Sequence, residues 1–538
     1  MNTRLYSLAS RGLDADLVKI EVDHYMSQPG MVIVGLGDAA VQESRERVRA
    51  AIKNSGFRFP RGRVVVNLAP ADVRKTGPCF DLPIALGMIS LSHDFSLPRR
   101  DETVFFGELS LDGSLRHVNG ILGLVTVARD QGFKRVFVPR VNLEEASLIA
   151  GIEVYGVDSL GQLVNSLMSD EELESARVRD LQEYFNAAPS PLVDFADIKG
   201  QIHAKRGLEI AAAGGHNILM NGSPGSGKTM MAKALQGILP KMDLSEALEV
   251  TKLYSLSGLL PEKDFLVRSR PFRTIHHTAS GAAIVGGGRI PKPGEISLAH
   301  RGVLFLDEMA EFPPHVLELL RQPLEDRQIT ISRTNGSLTY PAQFILCGAM
   351  NPCPCGFYGV ANAPKSCTCL PAAIARYHHK ISGPLLDRID LYCSVSPVEY
   401  GELKNDEQAE PTSEILRRVE RAREIQKARF AASPSKTNSE MSAGLVQQHC
   451  HVSVPVGRLL DRAMQQFSLS ARGYHRLLKV SRTIADLAGD EEIKEAHVLE
   501  ALQYRRSEGG GDLCKSLFSG EILIIVSVAL MHFHEFVS

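Results

Sequence analysis

The chain has 538 residues, a length that allows about three or four domains. Its hydrophobic fraction of 44% and charged fraction of 23% are those of an ordinary soluble globular protein that builds its core without staples. With 60 basic residues against 62 acidic ones the net charge is −2, so bulk charge does not advertise nucleic acid, and a DNA partner would have to meet a local basic surface.

Residues 1–20 contain no apolar core long enough for a signal peptide, and the nine cysteines are not spaced like an extracellular disulfide framework. Both features point to a cytoplasmic protein without a membrane partner.

In chain order, "GMVIVGL" has a strand pattern and "AAVQESRERVRAAIKNSG" reads as a helix closed by Gly56. "GRVVVNLAP" is a second strand, and "FDLPIALGMISL" a helix with Pro83 near its first turn. Apolar strands flank Asp112-Gly113, a hairpin signal. "ILGLVTVARDQG", "KRVFVP" and "IEVYGV" continue as helix, strand, strand. These elements make residues 1–165 one α/β domain. Residues 166–195 read as a linker. A second α/β unit is expected over 196–400, with a Cys-rich insert at 353–369, and a mostly helical region over 401–506. In the tail, 507–538, the apolar run Ile522–Met531 is too short to span a bilayer, which needs about 20 residues. A read-through tail and a buried strand both fit it, and no function is assigned.

"HNILMNGSPGSGKTMMAKAL" is the strongest signal. It runs strand, glycine-rich loop, helix, and Gly222, Ser223, Pro224, Gly225, Ser226, Gly227, Lys228 and Thr229 fit the full phosphate-loop pattern. Its backbone N–H groups can close around phosphate oxygens, Lys228 can pair with the β- and γ-phosphates, and Thr229 can ligate Mg²⁺. In "RGVLFLDEMAEF" the apolar run 303–306 is a buried parallel strand. It leaves Asp307 at the strand end to hold Mg²⁺ through water and Glu308 to polarise the attacking water. "FILCGAMN" is another buried strand, ending in Asn351, which can position the lytic water or sense the γ-phosphate. Arg388 in "GPLLDRIDL" is placed to reach a neighbour's ATP in trans, and Arg472, in a lid helix capped by Ser470, to touch the nucleotide. In this order the residues resemble the AAA+ group of ring ATPases.

The likeness becomes specific over nearly all of residues 3–506. "VIVGLGDAAVQESRERVRAAI", "VVVNLAPADVRKTGPCFDLPIALG", "IPKPGEISLAHRGVLFLDEMAEF", "AMNPCPCG", "SGPLLDRIDL" and "ARGYHRLLKVSRTIADL" resemble the magnesium-chelatase-like AAA+ family. The resemblance implies a bacterial, ATP-driven hexamer that remodels DNA, with branch migration in recombination of incoming DNA for some members. The alternatives are a chelatase-type ATPase subunit for metal insertion and an ATP-dependent protease-like assembly. "RTIHHTAS" and the tail depart from the family pattern.

The implied architecture is α/β multidomain: an N-terminal Lon-protease-like α/β domain, a P-loop AAA+ α/β core and a C-terminal helical lid. "RKTGPCF" is similar to the nucleophile corner of Lon-type proteases, with Cys79 at the serine position. The position of the family's lysine base falls at Leu122, and Lys134 lies a helix away. A nucleophile without a base has no dyad, so proteolysis is not expected.

Residues 45–63 concentrate Arg45, Arg47, Arg49, Lys53, Arg58, Arg61 and Arg63 against one acid, Glu46, and offer phosphate contacts. "QITISRTNGSLTYP" reads as a hairpin around Asn335-Gly336, with Arg333 near its tip as a DNA contact. In the long glycine-rich loop before the Asp-Glu strand, His276 and His277 serve loop ordering more readily than metal binding. Cys353, Cys355, Cys367 and Cys369 form C-x-C-x11-C-x-C, a possible structural Zn²⁺ site, though the spacing is tighter than usual.

Overall fold

The N-terminal unit is organised by a long hairpin in which Val18, Ile20 and Val22 are fully buried while Lys19 is exposed. That period of two is what a sheet with one covered face requires. The structure, a computed structural model, describes residues 2–93, 97–169, 173–176, 192–261, 264–288, 292–333, 336–360, 365–397, 409–466 and 469–505. The expected tail 507–538, most of the linker 166–195 and the boundary at 400 and 401 lie outside these residues.

In chain order the strands of the described residues are β1 Asn2–Arg11, β2 Asp14–Tyr25, β3 Gly30–Val34, β4 Arg63–Ala69, β5 Thr103–Phe105, β6 Glu108–Leu109, β7 Leu115–Arg116, β8 Arg135–Pro139, β9 Glu153–Val157, β10 Ile218–Gly222, β11 Phe272–Ile275, β12 Gly286–Gly287, β13 Lys292–Pro293, β14 Val303–Leu306, β15 Gln328–Arg333, β16 Gly336–Pro341, β17 Ile345–Met350 and β18 Leu391–Val395.

A seven-stranded mixed sheet has the order β3-β4-β2-β1-β5-β8-β9. The hairpin β1–β2 sits at its centre, in a stretch for which the sequence analysis names no element. Helices Ala39–Asn54, Asp81–His93 and Ile121–Asp130 pack against the sheet. Ala39–Asn54 is capped by Asp38, whose carboxylate accepts from Val41 N. Asp81–His93 buries ten of its 13 residues, so most of it lies inside the core. Helix Leu160–Ser169 runs across the expected domain end at 165.

The second sheet is all parallel, in the order β11-β14-β17-β10-β18. Every residue of β14 and β17 is buried, as strands covered on both faces must be. Helix Leu244–Ser257 belongs to two cores. Ala247 and Val250 pack with the N-terminal sheet, while Leu253 packs with Leu304 and Leu306 of β14. Ser255 Oγ hydrogen-bonds the buried carboxylate of Glu145, and Gly120 N donates to Ser255 O.

The helical region, Thr412–Arg429, Ala443–His449, Val454–Gln466, Ala471–Ala488 and Glu495–Gln503, contributes no residue to the cleft at the phosphate loop. It seats against helix Ile202–Gly214 and the starts of β10 and β18. Gln426 and Arg423 donate to the carbonyls of Ala213 and Ala212, His216 hydrogen-bonds Thr483, and Tyr392 N donates to Tyr504 O. No helix of the described residues is long and apolar enough to cross a membrane.

Inside that region Asp486, 1% exposed, accepts from Arg429, Arg482 and Asn438. Replacing it by Ala leaves two guanidiniums without their carboxylate, a defect that costs about 3–5 kcal/mol. Asp486→Ala should therefore lower hydrogen-exchange protection across helices 412–429 and 471–488 while β1 and β2 keep theirs. Unchanged protection in those helices would show that the network carries no stability.

Candidate nucleotide site

The parallel sheet delivers the site. The ends of β10, β14 and β17 are neighbouring C-terminal strand ends, so Gly222, Asp307 and Asn351 meet along one edge. Gly222 must lack a side chain, because a Cβ there would lie 2.2 Å from the carbonyl oxygen of Val395 on β18. Gly225 and Gly227 take φ of +77° and +87°, the left-handed values that open the loop. Ser223 and Ser226 are buried beneath it, and helix Lys228–Gly237 begins at its end.

Lys228 Nζ donates to Gly222 O at 2.7 Å and Ser223 O at 2.8 Å, and lies 3.3 Å from Asn351 Oδ1. Burial lowers its pKa, opposed by the charges of Asp307 and Glu308. Thr229 Oγ1 donates to Asp307 Oδ2 at 2.9 Å. That hydroxyl–carboxylate pair, at the start of a helix and the end of a strand, is an oxygen donor set fitted to Mg²⁺. Residues 224–230, Asp307, Glu308, Met350 and Asn351 line one open cleft.

Glu308 has φ of +51°, a strained backbone for a non-glycine residue. The turn leaves its carboxylate half exposed in the cleft, 3.6 Å from His277 Nδ1. The His277 ring is packed between His276, centroid 4.2 Å away, and Phe312, at 6.4 Å. The sequence had suggested loop ordering for both histidines, and the contact of His277 with Glu308 had no signal in spacing.

Arg388 and Arg472 do not line this cleft. They meet at Glu325, at 2.6 Å and 3.6 Å, in a pocket between the helical region and the opposite, N-terminal ends of the strands. The expectation that Arg472 touches the nucleotide from a lid does not fit this placement within one chain. The helix that carries it, Ala471–Ala488, is anchored by Arg476 to Ile389 O and Asp387, beside the start of β18. The buried nitrogens Arg388 Nε, Arg476 Nε and His475 Nδ1 have no hydrogen-bond partner among the described residues.

Arg45, Arg49 and Lys53, spaced four apart on helix 39–54, are exposed together, and Arg49 lies over the Phe59 ring at 5.7 Å. Arg47 of the same run turns inward to bind Asp81 at 2.8 Å. The hairpin β15–β16 forms with Arg333 paired to Gly336, and its tip, 334 and 335, lies outside the described residues. Cys79 is 8% exposed; burial, with the charge of Asp81 beside it, pushes its thiol up to about 12. Leu122 is fully buried, and Lys134 is exposed at a turn, so neither serves Cys79 as a base. Cys353, Cys355, Cys367 and Cys369 come together within 4.8 Å.

Three family models match the chain: magnesium chelatase, subunit ChlI, over residues 194–403; subunit ChlI of Mg-chelatase over 20–142; and the subunit ChlI C-terminal region over 409–505. Competence protein ComM of Haemophilus influenzae is 42% identical over 503 residues, 93% of this chain and 97% of its own. Protein YifB of Escherichia coli K12 is 40% identical over 504 residues, 93% of this chain and 96% of its own. The magnesium-chelatase 38 kDa subunit of Rhodobacter capsulatus is 28% identical over 182 residues, 31% of this chain and 52% of its own. With its matched models in order along the chain and relatives that align almost end to end, the protein belongs to the magnesium-chelatase-like family.

Proposed function

We propose that the chain is an AAA+ ATP hydrolase that works as a ring, expected to be a hexamer, and remodels DNA in the cytoplasm as a branch-migration helicase of recombination or competence. The observation that carries the ATPase reading is the convergence of Lys228, Thr229, Asp307, Glu308 and Asn351 on one cleft. Lys228 exchanges its loop carbonyls for the β- and γ-phosphates, and Thr229 and Asp307 hold Mg²⁺. Glu308 orients the attacking water, and Asn351 fixes Lys228 and the γ-phosphate.

The ring reading is supported by the separation of Arg388 and Arg472 from the cleft. Arg388 and Arg472 stand at the far ends of the strands, with unpartnered nitrogens beside them. They complete the site of a neighbouring copy, where a guanidinium supplied in trans stabilises the transferring phosphoryl group.

DNA is supported by the exposed Arg45, Arg49 and Lys53 and by the full-length likeness to a competence protein. Arg333, beside the hairpin tip, is proposed as a further contact. The N-terminal unit is a Lon-type scaffold without its catalytic dyad. The cofactors are ATP and Mg²⁺, with a structural Zn²⁺ on Cys353, Cys355, Cys367 and Cys369. A chelatase-type subunit is the second reading, supported by the partial likeness to the 38 kDa chelatase subunit.

Lys228→Ala should abolish binding of a fluorescent ATP analogue. Glu308→Gln should bind it normally and turn over about a hundredfold more slowly; normal turnover would remove Glu308 from its role. Arg388→Ala should bind nucleotide and lose about a thousandfold in kcat. Mixing it with Lys228→Ala should restore measurable hydrolysis, since mixed rings contain sites with both an intact loop and an intact arginine. Failure of that rescue would mean that Arg388 does not act in trans.

Branch migration of a labelled four-strand DNA, with Lys228→Ala as control, tests the DNA reading. ATP hydrolysis at one rate with and without DNA, and no strand movement, would refute it. A rate that depends on porphyrin would favour the chelatase reading.

A further inference from the structure

The cysteine cluster has the dimensions of an occupied metal site. Cys353 Sγ lies 3.3 Å from Cys355 Sγ and 3.7 Å from Cys367 Sγ, and Cys355 and Cys367 are 3.6 Å apart. A tetrahedron with Zn–S bonds of about 2.3 Å has S–S edges of about 3.8 Å. A disulfide needs about 2.05 Å, which none of these pairs approaches.

The backbone around the sulfurs is arranged for thiolates. Tyr358 N donates to Cys353 Sγ at 3.3 Å. The backbone N–H groups of Phe357 and Thr368 face Cys355 Sγ, that of Cys369 faces Cys367 Sγ, and that of Cys355 faces Cys369 Sγ. Each sulfur therefore has a backbone N–H beside it, the outer-shell support that metal ligands require.

The same turn is built into the nucleotide cleft. Gly356, between the first cysteine pair and the ring of Tyr358, has φ of +87°, and a Cβ on it would lie 2.5 Å from Cδ of Pro224 in the phosphate loop. Asn351, two residues before Cys353, touches Lys228, and its backbone hydrogen-bonds the Tyr377 hydroxyl. His378 Nε2 binds Pro352 O at 2.8 Å. Tyr377 and His378 end the helix Pro371–His378, which starts just after Cys369. The cluster thus closes a loop whose two arms hold Asn351 and Pro224.

We propose that Cys353, Cys355, Cys367 and Cys369 bind one tetrahedral Zn²⁺, and that this centre holds the Gly356 turn as a wall against the phosphate loop. Nucleotide affinity then depends on the metal. The second half rests on the reading of residues 222–229 as the nucleotide site; the first half does not. The site is structural, because four thiolates leave no coordination position for water.

The test uses the full chain, purified without a polyhistidine tag. Metal analysis should find one zinc per chain, and Cys367→Ser with Cys369→Ser should lose it. The double variant should bind a fluorescent ATP analogue about tenfold more weakly. Because loss of zinc can unfold the loop, Gly356→Ala supplies the second arm. It should keep its zinc and lose about tenfold in affinity, since the added methyl presses on Pro224.

Zinc far below one per chain, or an iron chromophore in its place, overturns the metal site. Full zinc with unchanged affinity in Gly356→Ala overturns the wall. A zinc-loaded wild type that binds no nucleotide would instead sink the ATPase reading and leave the metal site standing.

Discussion

The ammonium of Lys228 is the point on which the second unit turns. It binds the carbonyls of Gly222 and Ser223, which sets the curvature of the phosphate loop, and it reaches Asn351 at the end of another strand. Only a parallel sheet with β10 beside β17 puts these groups side by side, and only a glycine at 222 lets β18 close on the other flank. A half-buried ammonium is stabilised by oxygens that replace the water it has lost. The loop carbonyls supply them here, and they are of the same kind as the phosphate oxygens the pattern is built to receive.

The sheet also separates what it organises. Its C-terminal strand ends carry the loop, Asp307, Glu308 and Asn351; its N-terminal ends carry Arg388, Arg472 and the helical region. The five residues of β10 and β18 lie between them, about 17 Å of extended chain. No side-chain rotation spans that length. A single copy therefore keeps the cleft and the two arginines on opposite edges of one sheet.

Local chemistry was legible in the sequence, and long-range placement was not. The phosphate loop, the apolar run before Asp307, the cap at Ser470 and the hairpin β15–β16 each depend on neighbours within a few residues, and each could be read directly. The alternation in β1 and β2 is equally readable at Val18, Ile20 and Val22, although charged residues interrupt the run. Arg472 was assigned by its order in the chain, and order does not say on which edge of a sheet a helix docks. Arg47 counted as part of a basic surface until Asp81, 34 residues away, proved to be its partner. Glu325, the contact of His277 with Glu308 and the contact of Gly356 with Pro224 carry no pattern at all, since each joins segments that only the fold brings together.

Helix 244–257 packs into both units. Its Ala247 and Val250 belong to the N-terminal core and its Leu253 to the core under β14. At one end Glu246 and Glu249 bind Arg301, the residue two before that strand. At the other, Ser255 holds the Glu145 carboxylate among groups of the first domain, where burial raises its pKa. Sliding the first unit over the second would strip apolar surface from two cores and leave a buried carboxylate without its hydroxyl partner, both unfavourable. Any displacement of the N-terminal unit must then carry this helix with it, and through Arg301 the strand that presents Asp307 and Glu308. The exposed basic face of helix 39–54 and the cleft are thereby joined by packed elements at every step.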